Sequence, residues 1–394
     1  MAALMSYFAP PIAGEWGDEA EDNTDGVPVL RTTNFTADGR LSYDDLTYRS
    51  IDTEKKENKI LQLGDIIIEK SGGTPKKPVG RCVYFDRDDE YDYFCSNFTA
   101  ILRANTEEVN TKYLWYILQE HYKNRQCLKY QYKTNGIANL DIKDYLSHKE
   151  VELPPREVQD KRVEAMDYSQ HLLDLHQELL DIMDNAVKSR FIEMFGDPVM
   201  NPMGWEVKKL KDLSLKISDG VHAKPNYTED GKPFISVVNI TTGHIDFSNC
   251  KFVSQEDYEK MIKSTHPEKG DVLYTKVGAT YGIPAYVDTD EDFCLYVSVC
   301  LIKPKHELVN ARFLTESMRL PYIKHQADRR IRGIGVPDLH LNQIREFDIV
   351  CPPLDLQERY MEFVDLVDKS KHAVQQSIET LQTLKAKLMQ DYFG

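Results

Sequence analysis

The chain has 394 residues, 41% of them hydrophobic and 29% charged, with a formal net charge of −15. That composition fits an ordinary chain of two or three soluble domains. No run of eighteen apolar residues occurs, and the opening stretch has neither a basic n-region nor an apolar h-region, so the reading is cytoplasmic, with no membrane partner. Seven cysteines are scattered without a CxxC pair, the nearest two being Cys294 and Cys300. This suits reduced thiols and disfavours a disulfide framework or a zinc site.

The net charge argues at face value against a nucleic-acid partner. Its distribution softens that. Residues 1–50 hold three basic against nine acidic side chains, and residues 154–200 hold five against ten. Residues 101–153 (eight against seven) and 205–351 (twenty against twenty-one) are near neutral.

In chain order, residues 1–153 read as a first globular domain of mixed α+β character. Val27–Thr33, Asp65–Glu69, Arg81–Phe85 and Thr99–Leu102 have strand character. They are separated by turn clusters such as Ala37-Asp38-Gly39 and Ser71-Gly72-Gly73-Thr74-Pro75. Thr111–Lys123 reads as a helix, and Val151–Leu153 as a last strand running into Pro154-Pro155. The segment 154–196 then reads as one long helix. Leu172, Leu175, Leu179, Ile182 and Ala186 step 3-4-3-4, and Leu173, Leu180, Met183 and Val187 form a second row beside them. Acidic residues fill the first turn, Lys188 and Arg190 lie near the last, and Gly196 with Pro198 ends it.

Residues 197–351 repeat the plan of the first domain. Gly26–Asn34 matches Gly231–Asn239, Gly64-Asp65 matches Gly270-Asp271, and Asn110–Leu114 matches Asn310–Leu314. Asn139-Leu140 falls opposite Asp338-Leu339. The first domain lacks a counterpart to Trp205…Leu210, so its edge is expected to be trimmed or differently built. Residues 352–394 repeat the long helix. Shifted by 198 positions, 154–196 lies on 352–394 without a gap and with eight identities, among them both prolines, Gln159/Gln357 and the closing Phe-Gly. The apolar row of the second copy runs Val374, Ile378, Leu381, Leu384, Leu388. A repeat of this length decides the architecture: domain–helix–domain–helix, with the two helices antiparallel and the two rows just given forming their seam. About 40 helical residues span roughly 60 Å.

No catalytic signature is present. GxxxxGK[ST], HExxH and GxSxG are all missing, and none of the eleven histidines stands in a metal-ligand spacing. What stands out instead is a set of basic, glycine-rich and aromatic loops. In the first domain these are Lys70, Gly72, Gly73, Thr74, Lys76 and Lys77, followed by Lys123, Arg125, Lys129, Tyr132 and Lys133. In the second they are His222, Lys224, Lys276, Arg329, Arg330 and Arg332. Glycines admit close backbone approach, lysines and arginines supply charge for phosphates, and forked or amide side chains read base edges. A single such loop is more often a solvated charged loop. Their recurrence in both halves favours DNA.

These features together resemble the specificity subunits of type I restriction–modification systems. The resemblance rests on the duplicated PPxxxQ (Pro154-Pro155…Gln159 and Pro352-Pro353…Gln357) leading into a long helix, on Gly204-Trp205…Leu210, on Asp219-Gly220-Val221-His222 with Gly231-Lys232-Pro233-Phe234-Ile235, and on the paired Gly-Asp and Gly72-Gly73-Thr74-Pro75. It covers essentially the whole chain. It implies two target-recognition domains, each reading one half of a bipartite double-stranded DNA site, with the helices setting their separation. It also implies docking of two modification (methyltransferase) subunits and of restriction subunits. S-adenosylmethionine, ATP and magnesium would then belong to those partners, and this chain would bind no cofactor and catalyse nothing. The competing reading is a duplicated, non-catalytic scaffold for protein partners, which the net negative charge favours and the paired basic loops disfavour.

Overall fold

A computed structural model describes residues 1–20, 26–74, 76–105, 109–223, 225–331 and 336–394. Pro75 and two of the candidate DNA contacts, Lys224 and Arg332, lie outside the described residues. The chain divides into two compact units: Met1–Gln177 with Gln376–Gly394, and Glu178–Gln375. The long helices, Arg156–Phe195 and Leu354–Phe393, are therefore not domains of their own; each begins in one unit and ends in the other.

Each unit holds the same pair of four-stranded sheets. In the first unit one sheet runs Ile12–Ala13, Thr99–Leu102, Ile66–Glu69, Cys82–Tyr84, all antiparallel. The other runs Asp18–Glu19, Thr47–Ser50, Val27–Leu30, Phe94–Cys95, the last pair parallel. The second unit reproduces both orders. Ser214–Asp219, Val299–Pro304, Val272–Thr275 and Pro284–Tyr286 form one sheet; Tyr227–Thr228, Lys251–Val253, Lys232–Ile235 and Cys294–Leu295 form the other. The central strands are buried on both faces, which is why Ile66-Ile67-Ile68 and Val272-Leu273-Tyr274 read as unbroken apolar runs instead of alternating.

The motifs shared by the halves are joints of this frame. Gly64 and Gly270 both sit at φ +95°, a left-handed turn that glycine adopts without strain. The aspartate that follows closes the turn, Asp65 Oδ2 accepting from Gln62 N and Asp271 Oδ2 from Glu268 N. Each aspartate also holds a cation, Arg103 in the first unit and Lys303 in the second, both at 2.7 Å. Asn34 and Asn239 are buried and accept from the backbone N–H groups of Arg31 and Ser236, fixing the short 3₁₀ turn after each Gly-x-Pro strand.

PPxxxQ is a joint as well. Gln159 donates to Pro154 O (2.9 Å) and accepts from Asn110 N (2.9 Å); Gln357 donates to Pro352 O (2.7 Å) and accepts from Asn310 N (2.8 Å). Asn110 and Asn310 in turn cap the helices Thr111–Lys123 and Ala311–Arg319. Fully buried glutamine thus locks the start of each long helix to its unit. The far ends are locked by the closing Phe-Gly. Phe195 packs on Phe313 (5.3 Å) in the second unit, and Phe393 on Tyr113 (4.8 Å) in the first.

The expected trimming of the first unit's edge is met by a shortened counterpart, and the expected helix seam is corrected. The first unit does have a counterpart to the 205–210 edge: Ala2–Ala3 pairs with Glu150–Val151 as Glu206–Lys209 pairs with Asp348–Cys351. Leu4 N donates to Lys149 O as Leu210 N does to Phe347 O. The edge is two residues long and lacks the tryptophan, so no motif marked it. The helix seam also differs from the row expected on the first helix. Leu175, Leu179 and Ile182 are 45%, 38% and 56% exposed, while Leu172 and Ala186 are half-buried. The inward row is the second one, with Val163, Met166, Leu173, His176, Leu180, Met183 and Val187. Both rows step 3-4, so periodicity alone does not choose between them. On the second helix Ile378 is buried and Val374, Leu381 and Leu388 are half-buried, but Leu384 is 48% exposed. Contacts between the helices run antiparallel: His176 Nε2 meets Ser377 Oγ at 3.1 Å and Lys385 meets Gln170 in the first unit. In the second, Lys371 pairs with Asp184 and Tyr360 donates to Val187 O. No helix of the described residues is long and apolar enough to cross a membrane.

Candidate nucleic-acid interface

The two basic stretches of the first unit are separate in sequence but meet in space. Gln131–Thr134 and Ile137–Leu140 form a hairpin, and Ile137–Leu140 also pairs with Ser71–Gly72. Asn135 (φ +51°) and Gly136 (φ +81°) make its turn, the Asn-Gly pairing favoured where both central residues are left-handed. The register sets Lys133, Ala138 and Gly72 in one cross-strand row and Tyr132, Asn139 and Ser71 in the next. Lys133 and Tyr132, successive on their strand, take opposite faces of this small sheet, and Lys70, Gly73, Thr74, Lys76 and Lys77 flank its Ser71–Gly72 edge. Thr74 closes its turn, Thr74 N donating to Lys77 O and Thr74 Oγ1 accepting from Lys77 N. Lys76, Lys77, Tyr132 and Lys133 are exposed, and no ion pair holds these lysines or Lys70 among the described residues. Arg125 and Lys129 are exposed just before the hairpin, the latter lying 4.8 Å from the Tyr130 ring. Lys123 does not join them: it pairs with Glu120 at 3.5 Å and lines a separate cavity with Trp115, Tyr116 and Asp167.

Beside this surface lies a cavity of about 340 Å³ that sequence reading did not anticipate, lined by Trp16, Arg31, Thr32, Thr33, Ser96, Asn97 and Phe98. Phe98 O accepts from both Lys70 N and Ser71 N, and its ring is 47% exposed. An aromatic at a tight turn flanked by Asn97 and Thr99 was the one available signal.

The second unit places its candidates differently. His222 is exposed, 3.8 Å from Asp219. Arg329 is exposed at the end of the helix Pro321–Asp328. Two expected contacts are corrected. Lys276 is 4% exposed, with its ammonium 3.6 Å from both Asp219 and Asp338, so it is not available to a phosphate. Arg330 spends its guanidinium on Gln326 O and Glu346 O and lies over the Phe347 ring, so it fastens the 346–347 turn. In both cases a long cation followed apolar or acidic neighbours that the linear sequence does not bring together. Burial raises the Asp219 carboxyl above its ordinary range, Lys276 opposing that shift. No group of three or more His, Cys, Asp or Glu side chains able to hold a metal occurs among the described residues.

The model of the type I restriction–modification DNA specificity domain matches the chain twice, over residues 13–182 and 202–383. Among curated proteins, the MjaVIII type I restriction enzyme specificity subunit of Methanocaldococcus jannaschii is 23% identical over 305 residues, 73% of this chain and 70% of that one. The EcoKI specificity subunit of Escherichia coli is 22% identical over 271 residues, 64% and 55% of the two chains. Among solved structures, a chain from a study of type I restriction–modification complex assembly and conformational transition aligns with a TM-score of 0.61 at 16% identity, covering 100% of this chain and 96% of that one. The S subunit from M. genitalium aligns with a TM-score of 0.54 at 13% identity, covering 100% and 95%. With both halves matched and the same two sheets in each unit, the chain belongs to the type I restriction–modification DNA specificity family.

Proposed function

We propose that this chain is the non-catalytic DNA-reading subunit of a type I restriction–modification complex, each unit reading one half of a bipartite double-stranded site. The observation that carries this is that Lys70, Lys76 and Lys77 flank the small sheet bearing Tyr132 and Lys133, with no ion pair to these lysines among the described residues. Such a surface can meet the phosphates with lysine and a groove with the hairpin. The long helices set the spacing between half-sites, since each is a continuous element of 40 residues, roughly 60 Å.

The same helices dock two modification subunits. What supports this is the outward row Leu175, Leu179 and Ile182, an apolar stripe at heptad-like spacing left uncovered by this chain. Restriction subunits join that core. S-adenosylmethionine, ATP and magnesium serve the chemistry of these partners, and the cytoplasm is where it takes place. The test is binding of duplex DNA by this chain with its modification subunits as salt rises. Affinity falls steeply, with a log–log slope near −0.9 per phosphate neutralised. Binding that is absent or indifferent to salt overturns the proposal.

A further inference from the structure

The Lys276 cluster of the second unit holds more negative charge than its fold requires. Strand register pairs each of its members with a residue of the first unit. Asp219 faces Cys300 as Ala13 faces Ala100, and Asp338 bridges Val277 as Asn139 pairs with Ser71. Lys276 N donates to Ser298 O as Lys70 N does to Phe98 O; Leu339 N donates to Lys276 O as Leu140 N does to Lys70 O. The first unit builds this frame with alanine, lysine and asparagine, so neither carboxylate is needed to form it.

One ammonium faces two carboxylates in the second unit. Asp219 Oδ1 and Asp338 Oδ1 are both buried without a hydrogen-bond partner, each 3.6 Å from Lys276 Nζ. Unsatisfied buried oxygens are costly and uncommon in folded proteins. Asp219, with its side chain 16% exposed, suffices to neutralise the lysine. Asp338 is the surplus group. Its Oδ1 is turned inward toward the lysine while the side chain as a whole is 41% exposed, leaving the second oxygen to solvent.

A fixed, outward carboxylate oxygen on a DNA-facing edge has a narrow use. Phosphates repel it. In the major groove, guanine O6 and N7 and thymine O4 are acceptors and offer it nothing, whereas the exocyclic amino groups of cytosine (N4) and adenine (N6) donate to it. We propose that Asp338 is a base-reading residue of the second unit, accepting from the exocyclic amino group of a cytosine or adenine, and that buried Lys276 is the positioning residue that aims it. This rests on the reading of the chain as a DNA-reading subunit.

The test uses the chain in complex with its modification subunits. Readouts are competition against a duplex library randomised over both half-sites, and the methylated motif in a host genome. Asp338→Asn is a substitution the frame already accommodates, since Asn139 holds the matching place. It is expected to lower the preference at one position of the second half-site by roughly tenfold, leaving the first half-site and the thermal stability unchanged. Lys276→Met is expected to blur that same position, and Lys276→Arg to preserve it. An Asp338→Asn complex that keeps the full motif, or weakens all sequences alike, overturns the assignment. A wild-type complex that does not bind duplex DNA overturns the underlying reading as well, which separates the two failures.

Discussion

The two units share a frame and differ at the edge that would meet DNA. In the first, that edge is a hairpin turned at Asn135-Gly136, its lysines without an ion pair among the described residues. In the second, the matching lysine, Lys276, is caged by two aspartates, and Arg330 is tied to backbone carbonyls. The joints between frame and helices are nearly superimposable in chemistry: Gln159 and Gln357, Asn110 and Asn310, Phe195 and Phe393. Lys112–Asp167 at 2.7 Å is matched by the Arg312–Asp365 pair. The two halves thus agree in what sets geometry and differ at the edges proposed to read DNA.

If the joints are equivalent, breaking either should cost the same in its own unit. Phe195→Ala and Phe393→Ala each remove a buried aromatic from a packed cluster and should lower stability by about 3–5 kcal/mol. Calorimetry should place the loss in the second unit for the former and the first for the latter; a loss spread over both transitions would mean that the units do not hold separate cores.

Acid should distinguish the units. His121 of the first unit is buried against Tyr145, and desolvation, helped by nearby Lys149, lowers its pKa to about 4; the matching position of the second unit is Pro321. A folded pKa below the unfolded value of about 6.5 means that the unfolded chain takes up the proton first. Stability is therefore full above pH 6.5 and falls as pH drops toward 4, by about 3 kcal/mol at the limit. Unfolding followed from pH 7.5 to 4.5 should show the first unit losing more than the second, and His121→Leu should remove the excess.

Smaller effects are expected at the glutamine joints. Gln159→Leu and Gln357→Leu each leave a backbone N–H and a proline carbonyl unpaired, about 1–3 kcal/mol. Denaturant titration should give similar losses for the two. Least disruptive to the fold, Lys76→Ala with Lys77→Ala and Lys133→Ala should leave stability within about 0.5 kcal/mol and flatten the salt dependence of DNA binding. Arg330→Ala should do the reverse, lowering stability with little change in slope.

Legibility in the sequence followed the same division. The helix Thr111–Lys123 and the strand Thr99–Leu102 were read to the residue, because capping asparagine and continuous apolar burial leave strong local marks. The repeat exposed the joints because both copies must make the same contacts. The seam row of the first helix was misread because two 3-4 rows lie side by side and only tertiary packing selects one. Lys276 and Arg330 were misread because charge in a linear motif does not reveal whether the fold surrounds it with carboxylates and carbonyls or with water. The Asp219–Lys276–Asp338 cluster joins segments 119 residues apart at its extremes, beyond any local pattern.

The spacing of two separately reading units by a pair of continuous helices has a measurable consequence. It is tested most directly by inserting four residues, about one helical turn, after Ile182 and after the matching Thr380, and sequencing the methylated motif of a host carrying the complex. Two unchanged half-sites separated by a longer unread spacer are expected. An unchanged spacer with altered half-site bases would contradict it.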